Sequence, residues 1–166
     1  PVVNVAGSVS AMLDNALEFL MMAGMDLPLA VMVCIPEPWM GDKSISRTKR
    51  DLYQYYATLM EPWDGPASIL FSDGDVVGAV LDRNGLRPSR YYVTTDDRLI
   101  LASEVGVLDL PADQIMQKSR LQPGRMLLVD MKQGRIIGDD ELKETYAARQ
   151  PYGEWLDRNL LHLAEL

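Results

Sequence analysis

The chain has 166 residues, 48% hydrophobic and 24% charged, which is the balance of an ordinary folded domain. Its formal net charge of −8 argues against a nucleic-acid partner, because phosphate binding needs a basic face. The longest apolar run, 27–35, is too short to span a bilayer, so no membrane partner is expected. The chain has a single cysteine, so it can form neither an internal disulfide nor a cysteine-based metal site, and no leader pattern is recognised. We therefore expect the protein in a reducing cytoplasm.

The first third of the chain predicts three helices. Ser8 or Ser10 can cap a helix over 11–23, which Gly24 then ends. Asp26 can cap a second helix that ends before Pro36. The third prediction is a helix over 47–60. This part of the chain is therefore expected to be helical throughout, apart from short connections.

The middle of the chain changes to short apolar runs separated by turn residues, and the tail returns to helix. Three strand pairs are predicted, in hairpins: 67–71 with 76–81, 90–94 with 99–103, and 125–130 with 135–137. The tail from Asp139 is predicted to be helical, with a break near Pro151, and His162 is expected on the surface of its last helix. Hairpins between helical segments indicate an α+β fold rather than alternating βαβ units.

The densest polar cluster is the stretch 82–88, Asp-Arg-Asn-Gly-Leu-Arg-Pro. Asn84 and Gly85 favour a sharp reversal of the chain, and an arginine on each side, Arg83 and Arg87, can bind a carboxylate. The interpretation we favour is a structural turn whose arginines pair with neighbours such as Asp82 or Glu104.

Three other features suggest chemistry less strongly. Glu61 and Asp64 could act as an acid and a base, but the prolines around them favour a rigid connector. The small-residue loop 7–10 could bind an anion at a helix start, although an ordinary helix cap is the more economical interpretation. Cys34 lies among apolar residues and is expected to be a buried structural cysteine.

Taken together, several motifs resemble one family. The segments 61–67 (EPWDGPA), 81–91 (LDRNGLRPSRY), 102–109 (ASEVGVLD) and 121–130 (LQPGRMLLVD) stand in the order and spacing of the large glutamate synthases. The start, 7–15 (GSVSAMLDN), is similar as well, and 151–156 (PYGEWL) resembles the exit from their amidotransferase domain. The resemblance covers essentially the whole chain.

The resemblance implies a fold, an activity and a division into domains. The fold is a portion of the N-terminal-nucleophile type αββα sandwich, with antiparallel strands and flanking helices. Residues 1–150 would be the later portion of a class II glutamine amidotransferase domain, and 151–166 the start of a helical connection to the central domain. The longer protein would hydrolyse glutamine and pass ammonia to 2-oxoglutarate to form glutamate.

The same resemblance implies which site residues this chain supplies. The family's nucleophile is an N-terminal cysteine whose own α-amino group serves as base. Residue 1 is proline, and Cys34 does not match the nucleophile's place, so no catalytic residue and no activity of this chain alone are expected. Gly7, Ser8 and Val9 match a substrate-binding Gly-Ser-Asp-Ser element, but Val9 replaces the aspartate that would hold the α-ammonium group of glutamine.

The motif residues outside that element are assigned to the scaffold. They are Asp82, Arg83, Asn84, Gly85, Arg87 and Glu104. No cofactor or metal is expected in this chain, whereas the longer protein is implied to use FMN and an iron–sulfur cluster. Its partners would be glutamine and the remaining domains, in the cytoplasm or in a plastid.

Two other functions stay open at this level. The first is a non-catalytic amidotransferase-like module that binds or regulates a partner, which Val9 favours slightly. The second is a hydrolase that uses Glu61 and Asp64.

Overall fold

The structure, a computed structural model, describes residues 2–162 and divides the chain into two units. One unit combines 2–63 with 140–162, and the other is 64–139. The helices of the first unit are α1 (Val9–Met22), α2 (Leu27–Cys34), α3 (Arg47–Ala57), α4 (Asp139–Ala147) and α5 (Tyr152–Asn159). The strands of the described residues all lie in the second unit, so the content is α+β as predicted.

Helix α1 begins earlier than predicted because Ser8, not Ser10, is its cap. The Ser8 hydroxyl oxygen accepts a hydrogen bond from the backbone N–H of Ala11 at 3.2 Å, which satisfies one of the free donors of the first turn. The helix stops where expected, since Gly24 follows it with a φ of +95°, a conformation that glycine adopts without a steric penalty.

Two of the predicted helical segments end earlier than the sequence pattern indicates. Helix α3 stops at Ala57 rather than at residue 60, because the backbone N–H and hydroxyl groups of Thr58 both donate to the Tyr55 carbonyl and tighten the last turn. Helix α5 stops at Asn159, so His162 lies beyond its end as an exposed residue and not on a helix surface. The remainder of that predicted helix, 163–166, lies outside the described residues.

The second unit contains two antiparallel sheets. The four-stranded sheet has the order β1 (Ser68–Ser72), β2 (Val76–Leu81), β6 (Met126–Asp130), β7 (Arg135–Ile137). The three-stranded sheet has the order β4 (Leu99–Ala102), β3 (Arg90–Thr94), β5 (Ile115–Arg120). All three predicted hairpins are confirmed by their strand pairing, whereas β5 and the 3₁₀ turn Ala112–Gln114 before it are not predicted from the sequence.

The core of this unit lies where the two sheets meet. Ala79, Leu81, Leu121 and Leu127 form a buried cluster, all at most 7% exposed. Side chains from one face of the three-stranded sheet pack against it: Tyr91, Leu99 and Leu101. Because side chains alternate along a strand, the neighbouring positions of β3, β4 and β5 must face away from this core.

Candidate functional site

The segment predicted to bind substrate forms the start of α1. Gly7 donates its N–H to the Asn4 carbonyl at 2.9 Å, and the Ser8 hydroxyl lies 3.0 Å from that of Ser10. Val9 is the first helical residue and is 63% exposed, so its side chain is on the surface of its own unit. The first turn of α1 carries no acidic side chain. The loop therefore acts as a helix cap, and an acidic group at position 9 would be sterically accessible there.

Asp82 is the organising residue of the Asp-Arg-Asn-Gly turn. It is only 2% exposed, and both of its carboxylate oxygens accept hydrogen bonds from the backbone. Oδ1 accepts from the Ala67 N–H at 3.0 Å, while Oδ2 accepts from the N–H groups of Asn84 at 3.0 Å and Gly85 at 3.1 Å. One buried carboxylate thus joins the start of the first hairpin to the turn that follows it.

Gly85 is required at its position by conformation and by space. Its φ is +60°, and a Cβ atom there would lie 2.4 Å from the Cγ atom of Pro123. The turn therefore packs directly against the Pro123 ring, next to the point where Leu81 and Pro123 form an isolated bridge. No other residue type fits this contact without movement of the backbone.

The arginines of this turn do not have the partners that the sequence suggested. Arg83 donates to Asp64 Oδ1 at 3.0 Å, and not to Asp82, because the Asp82 oxygens are occupied by backbone N–H groups. Arg87 and Glu104 are both exposed, and the described residues include no ion pair between them. The turn is thus held by hydrogen bonds to its backbone, with the arginines on its surface.

The remaining candidates for chemistry lie apart from any enclosed site. Glu61 and Asp64 are exposed, and Asp64 is engaged by Arg83, whereas an acid catalyst of the glycosidase type sits in a buried, apolar environment. Cys34 is 3% exposed at the end of α2, and burial raises the pKa of its thiol to about 11. At neutral pH this thiol is protonated and is a poor nucleophile.

Sequence reasoning missed a buried charged cluster in the helical unit. Lys143 on α4 is 2% exposed, and its Nζ atom lies 3.3 Å from Glu37 Oε1. The Tyr53 hydroxyl donates to the same carboxylate oxygen at 2.9 Å. Helical spacing could have predicted the burial of Lys143. It lies three and four positions before Tyr146 and Ala147, so the three residues share one face of α4, and all three are buried. The cluster ties α4 and α3 to the segment after α2.

Two observations limit the chemistry of the described residues. Within 2–162, no group of three or more His, Cys, Asp or Glu side chains is arranged to hold a metal ion. In the same range no helix has the length and apolar character needed to cross a bilayer. Each unit instead has a turn held by side-chain hydrogen bonds: the Ser8 cap of α1 in the helical unit, and the Asp82–Gly85 turn in the unit that contains the sheets.

Comparison with known proteins identifies the class to which this arrangement belongs. The profile of class II glutamine amidotransferases matches residues 1–155, which is nearly the whole chain. The chain therefore belongs to the class II glutamine amidotransferase family.

Within that family, the similar curated proteins are glutamate synthases. The chain is 50% identical over 163 residues to the glutamate synthase [NADPH] large chain of Bacillus subtilis, covering 98% of this chain and 11% of that protein. It is 52% identical over 164 residues to the glutamate synthase [NADH] of Schizosaccharomyces pombe, covering 98% and 8%. It is 46% identical over 158 residues to a ferredoxin-dependent glutamate synthase of Synechocystis, covering 94% and 10%. The chain thus spans about a tenth of the length of these relatives.

Proposed function

We propose that this chain is the later portion of the glutamine amidotransferase domain of a glutamate synthase. The observation that carries the proposal is the identity of about half of all positions with glutamate synthases over 98% of the chain. The longer protein would hydrolyse the side-chain amide of glutamine and transfer the ammonia to 2-oxoglutarate, forming glutamate. Residues 1–150 would belong to the amidotransferase domain, and 151–166 would begin the connection to the next domain.

The architecture supports a finer proposal about the fold. The two antiparallel sheets pack through Ala79, Leu81, Leu121 and Leu127, and the described residues also form five helices. This combination fits the two inner layers of an N-terminal-nucleophile αββα sandwich. In that arrangement the Asp82 turn is a scaffold element. Its rigidity would fix the connection between the two sheets, since β2 enters the turn and β3 leaves it.

The residues of this chain leave catalysis to the rest of the protein. Cys34 is its single cysteine, and a buried, protonated thiol cannot act as the nucleophile of amide hydrolysis. We propose that the turn at the start of α1 faces the bound glutamine and is already formed before glutamine binds. Its residues are Gly7, Ser8 and Val9. An iron–sulfur cluster needs several cysteine ligands, so this chain does not fit one, and FMN and the cluster are assigned to other domains. The cytoplasm or a plastid is the proposed location.

The full-length protein provides the test. Ammonia release from glutamine is measured first, followed by glutamate formation from 2-oxoglutarate with NADPH, NADH or reduced ferredoxin as separate electron donors. We expect both activities, and we expect a Cys34→Ala variant to retain both. A full-length protein without glutamine hydrolysis, or one that loses it on Cys34→Ala, would refute the proposal.

Val9 favours a second candidate, an amidotransferase-like module that no longer binds glutamine well. A valine cannot pair with the α-ammonium group of glutamine, and an ammonium group without a counter-charge is costly to desolvate. Whether glutamine hydrolysis in the full-length protein is weak or normal therefore separates the two candidates.

The substitution Val9→Asp tests the role of this position directly. Position 9 is 63% exposed at the start of a helix, where an aspartate is favoured by the helix dipole, so the fold should accept it. We expect KM for glutamine to fall by about tenfold with kcat little changed, which corresponds to about 1.4 kcal/mol. Val9→Asn is the matched control without charge. Equal KM values for the two variants would mean that another carboxylate binds the ammonium group.

A further inference from the structure

The outer face of the three-stranded sheet is basic, although the chain as a whole carries a net charge of −8. Here the outer face means the side chains of Arg90, Tyr92, Ile100, Met116, Lys118 and Arg120. Strand register places all of them except Met116 together, because Arg90 lies opposite Arg120, and Tyr92 lies opposite both Ile100 and Lys118. The other face of the same strands packs on the core through Tyr91, Leu99 and Leu101.

The three cations of this face have no carboxylate partner in the described part of the chain. Elsewhere in the same unit, Arg98 is paired with Asp96 at 2.8 Å and Arg83 with Asp64 at 3.0 Å, whereas the exposed Arg87 has no ion pair in the described residues. Arg90, Lys118 and Arg120 are exposed and form no ion pair with residues 2–162, and the one described contact of Lys118 is with the Tyr92 ring, 5.8 Å from its centroid. Like charges directly opposite each other in a sheet, such as Arg90 and Arg120, destabilise it.

Apolar groups accompany these charges. Met116, two residues before Lys118 and at the register shift of β5, is 64% exposed. A shallow hollow beside Arg90 is lined by Tyr92, Ile100 and two side chains of the loop after β4, Val107 and Leu108, which are 62% and 51% exposed. Glu104 is the one carboxylate on the rim of this hollow. A face with aromatic and aliphatic groups and a basic rim has the composition of a protein interface.

We propose that the outer face binds an acidic segment of the same longer polypeptide. The charge and the apolar groups together define the occupant: at least two carboxylates to meet the arginine pair and Lys118, and apolar groups that cover Val107 and Leu108. A second copy of this chain region would present another basic face to Arg90 and Arg120 in a symmetric contact. The inference rests on the proposed function, because this chain corresponds to about a tenth of a longer protein.

Zero-length cross-linking in the full-length protein tests the proposal. A carbodiimide joins the Lys118 amine to a carboxylate only where the two are in contact. We expect Lys118 to be linked to an aspartate or glutamate of the same polypeptide, outside the 166 residues described by this sequence. Cross-links to Glu104 or Asp113 alone, to a second copy in a mixed-isotope sample, or to a different protein would each overturn it.

Amine acetylation of the same protein gives an independent readout. Lys43 is the reference, because it is an exposed lysine on a loop of the helical unit. At low salt we expect Lys118 to react about tenfold more slowly than Lys43, and the difference to shrink in 0.5 M NaCl because salt screens exposed charges. Equal reactivity of Lys118 and Lys43 at low salt would overturn the proposal.

Charge reversal separates this interface from a general effect of charge. The variant Arg90→Glu/Arg120→Glu should raise the acetylation rate of Lys118 at least several-fold. The matched control, Arg47→Glu/Arg158→Glu, changes the net charge equally on the helical unit and should leave the rate unchanged. Glutamine hydrolysis is measured on every sample. If glutamine is hydrolysed but Lys118 is not protected, the proposed interface is wrong and the proposed function stands. If the unmodified protein does not hydrolyse glutamine, the proposed function is wrong.

Discussion

Asp82 shows how one side chain can determine a local conformation. Its carboxylate accepts three hydrogen bonds from backbone N–H groups while being almost completely buried. The Asn-Gly pair correctly predicted a reversal at Asn84 and Gly85, because both residues favour the backbone conformations of tight turns. The ion pair of Arg83 with Asp64 could not be found in the same way, since the two residues are 19 positions apart and their contact depends on the hairpin between them.

The substitution Asp82→Asn should destabilise the protein. In asparagine an NH2 group, which is a donor, replaces one of the two carboxylate oxygens. At least one of the backbone N–H groups bound by Asp82 is then left without an acceptor, which costs about 1–3 kcal/mol. Urea denaturation gives the free energy of unfolding. Asp64→Asn, at an 82% exposed position, is the matched control and should cost less than about 1 kcal/mol. Equal losses for both variants would show that the buried carboxylate has no special role.

Gly85→Ala should be more costly than a glycine substitution at another left-handed position. Both Gly85 and Gly106 have positive φ, but a Cβ at Gly106 meets no atom within 4 Å, whereas at Gly85 it meets the Pro123 ring. We expect Gly106→Ala to cost about 1–2 kcal/mol from conformation alone. Gly85→Ala should cost about 1–3 kcal/mol more from overpacking. Thermal unfolding of both variants checks the difference, and equal melting temperatures would contradict it.

At the scale of helices and strands, the sequence pattern succeeds where contacts are local. Strand β2 was predicted with its exact bounds, because the apolar run 76–81 lies between two clear turns. Strand β5 was missed, because only Ile115 and Ser119 of its six residues are partly buried and no hairpin partner adjoins it. It pairs with β3, more than twenty residues earlier, and such pairing leaves no periodic signal.

The pair Lys143–Glu37 joins α4 to the rest of the helical unit, and a double-mutant cycle should reveal its contribution. Lys143→Met alone leaves a buried carboxylate with less compensation and should cost about 3–5 kcal/mol. In the double variant Lys143→Met/Glu37→Leu both charges are gone, so the loss should be clearly smaller than the sum of the single losses, although the hydrogen bond from the Tyr53 hydroxyl to Glu37 is also lost. Strict additivity in urea denaturation would show that the two charges do not interact.

At the scale of the whole molecule, the sequence predicted hairpins but not the sheets that they build. Pairing of β2 with β6 brings Val76 opposite Asp130, and this pairing joins the first hairpin to the third in one sheet. Long-range pairing of this kind depends on which apolar faces bury each other, as Leu81 and Leu127 do in the core. The pattern of helices and hairpins predicted the α+β class, whereas the αββα sandwich is implied only by the family resemblance and stays a proposal.

Because the Cys34 thiol is buried, the free energy of unfolding should decrease as the pH becomes alkaline. The pKa of this thiol is raised by burial from 9.0 to about 11, so between these pH values the folded state keeps a proton that the unfolded state releases. The free energy of unfolding must therefore fall as pH rises through this window, and the full contribution of the thiol is present only below about pH 9. The loss attributable to Cys34 is on the order of 2–3 kcal/mol.

Comparison with Cys34→Ala isolates this contribution from those of other groups whose pKa changes on folding, such as Tyr146, whose pKa is raised by burial to about 12. The variant loses some packing at every pH, but its stability should decline less between pH 9 and 11 than that of the unmodified chain. Urea denaturation at closely spaced pH values measures both slopes. Alkylation by iodoacetamide should be slow for the folded chain at pH 8 and fast after unfolding, because only the unfolded state presents an accessible thiolate. Parallel stability curves together with rapid alkylation of the folded chain would contradict the burial of this thiol.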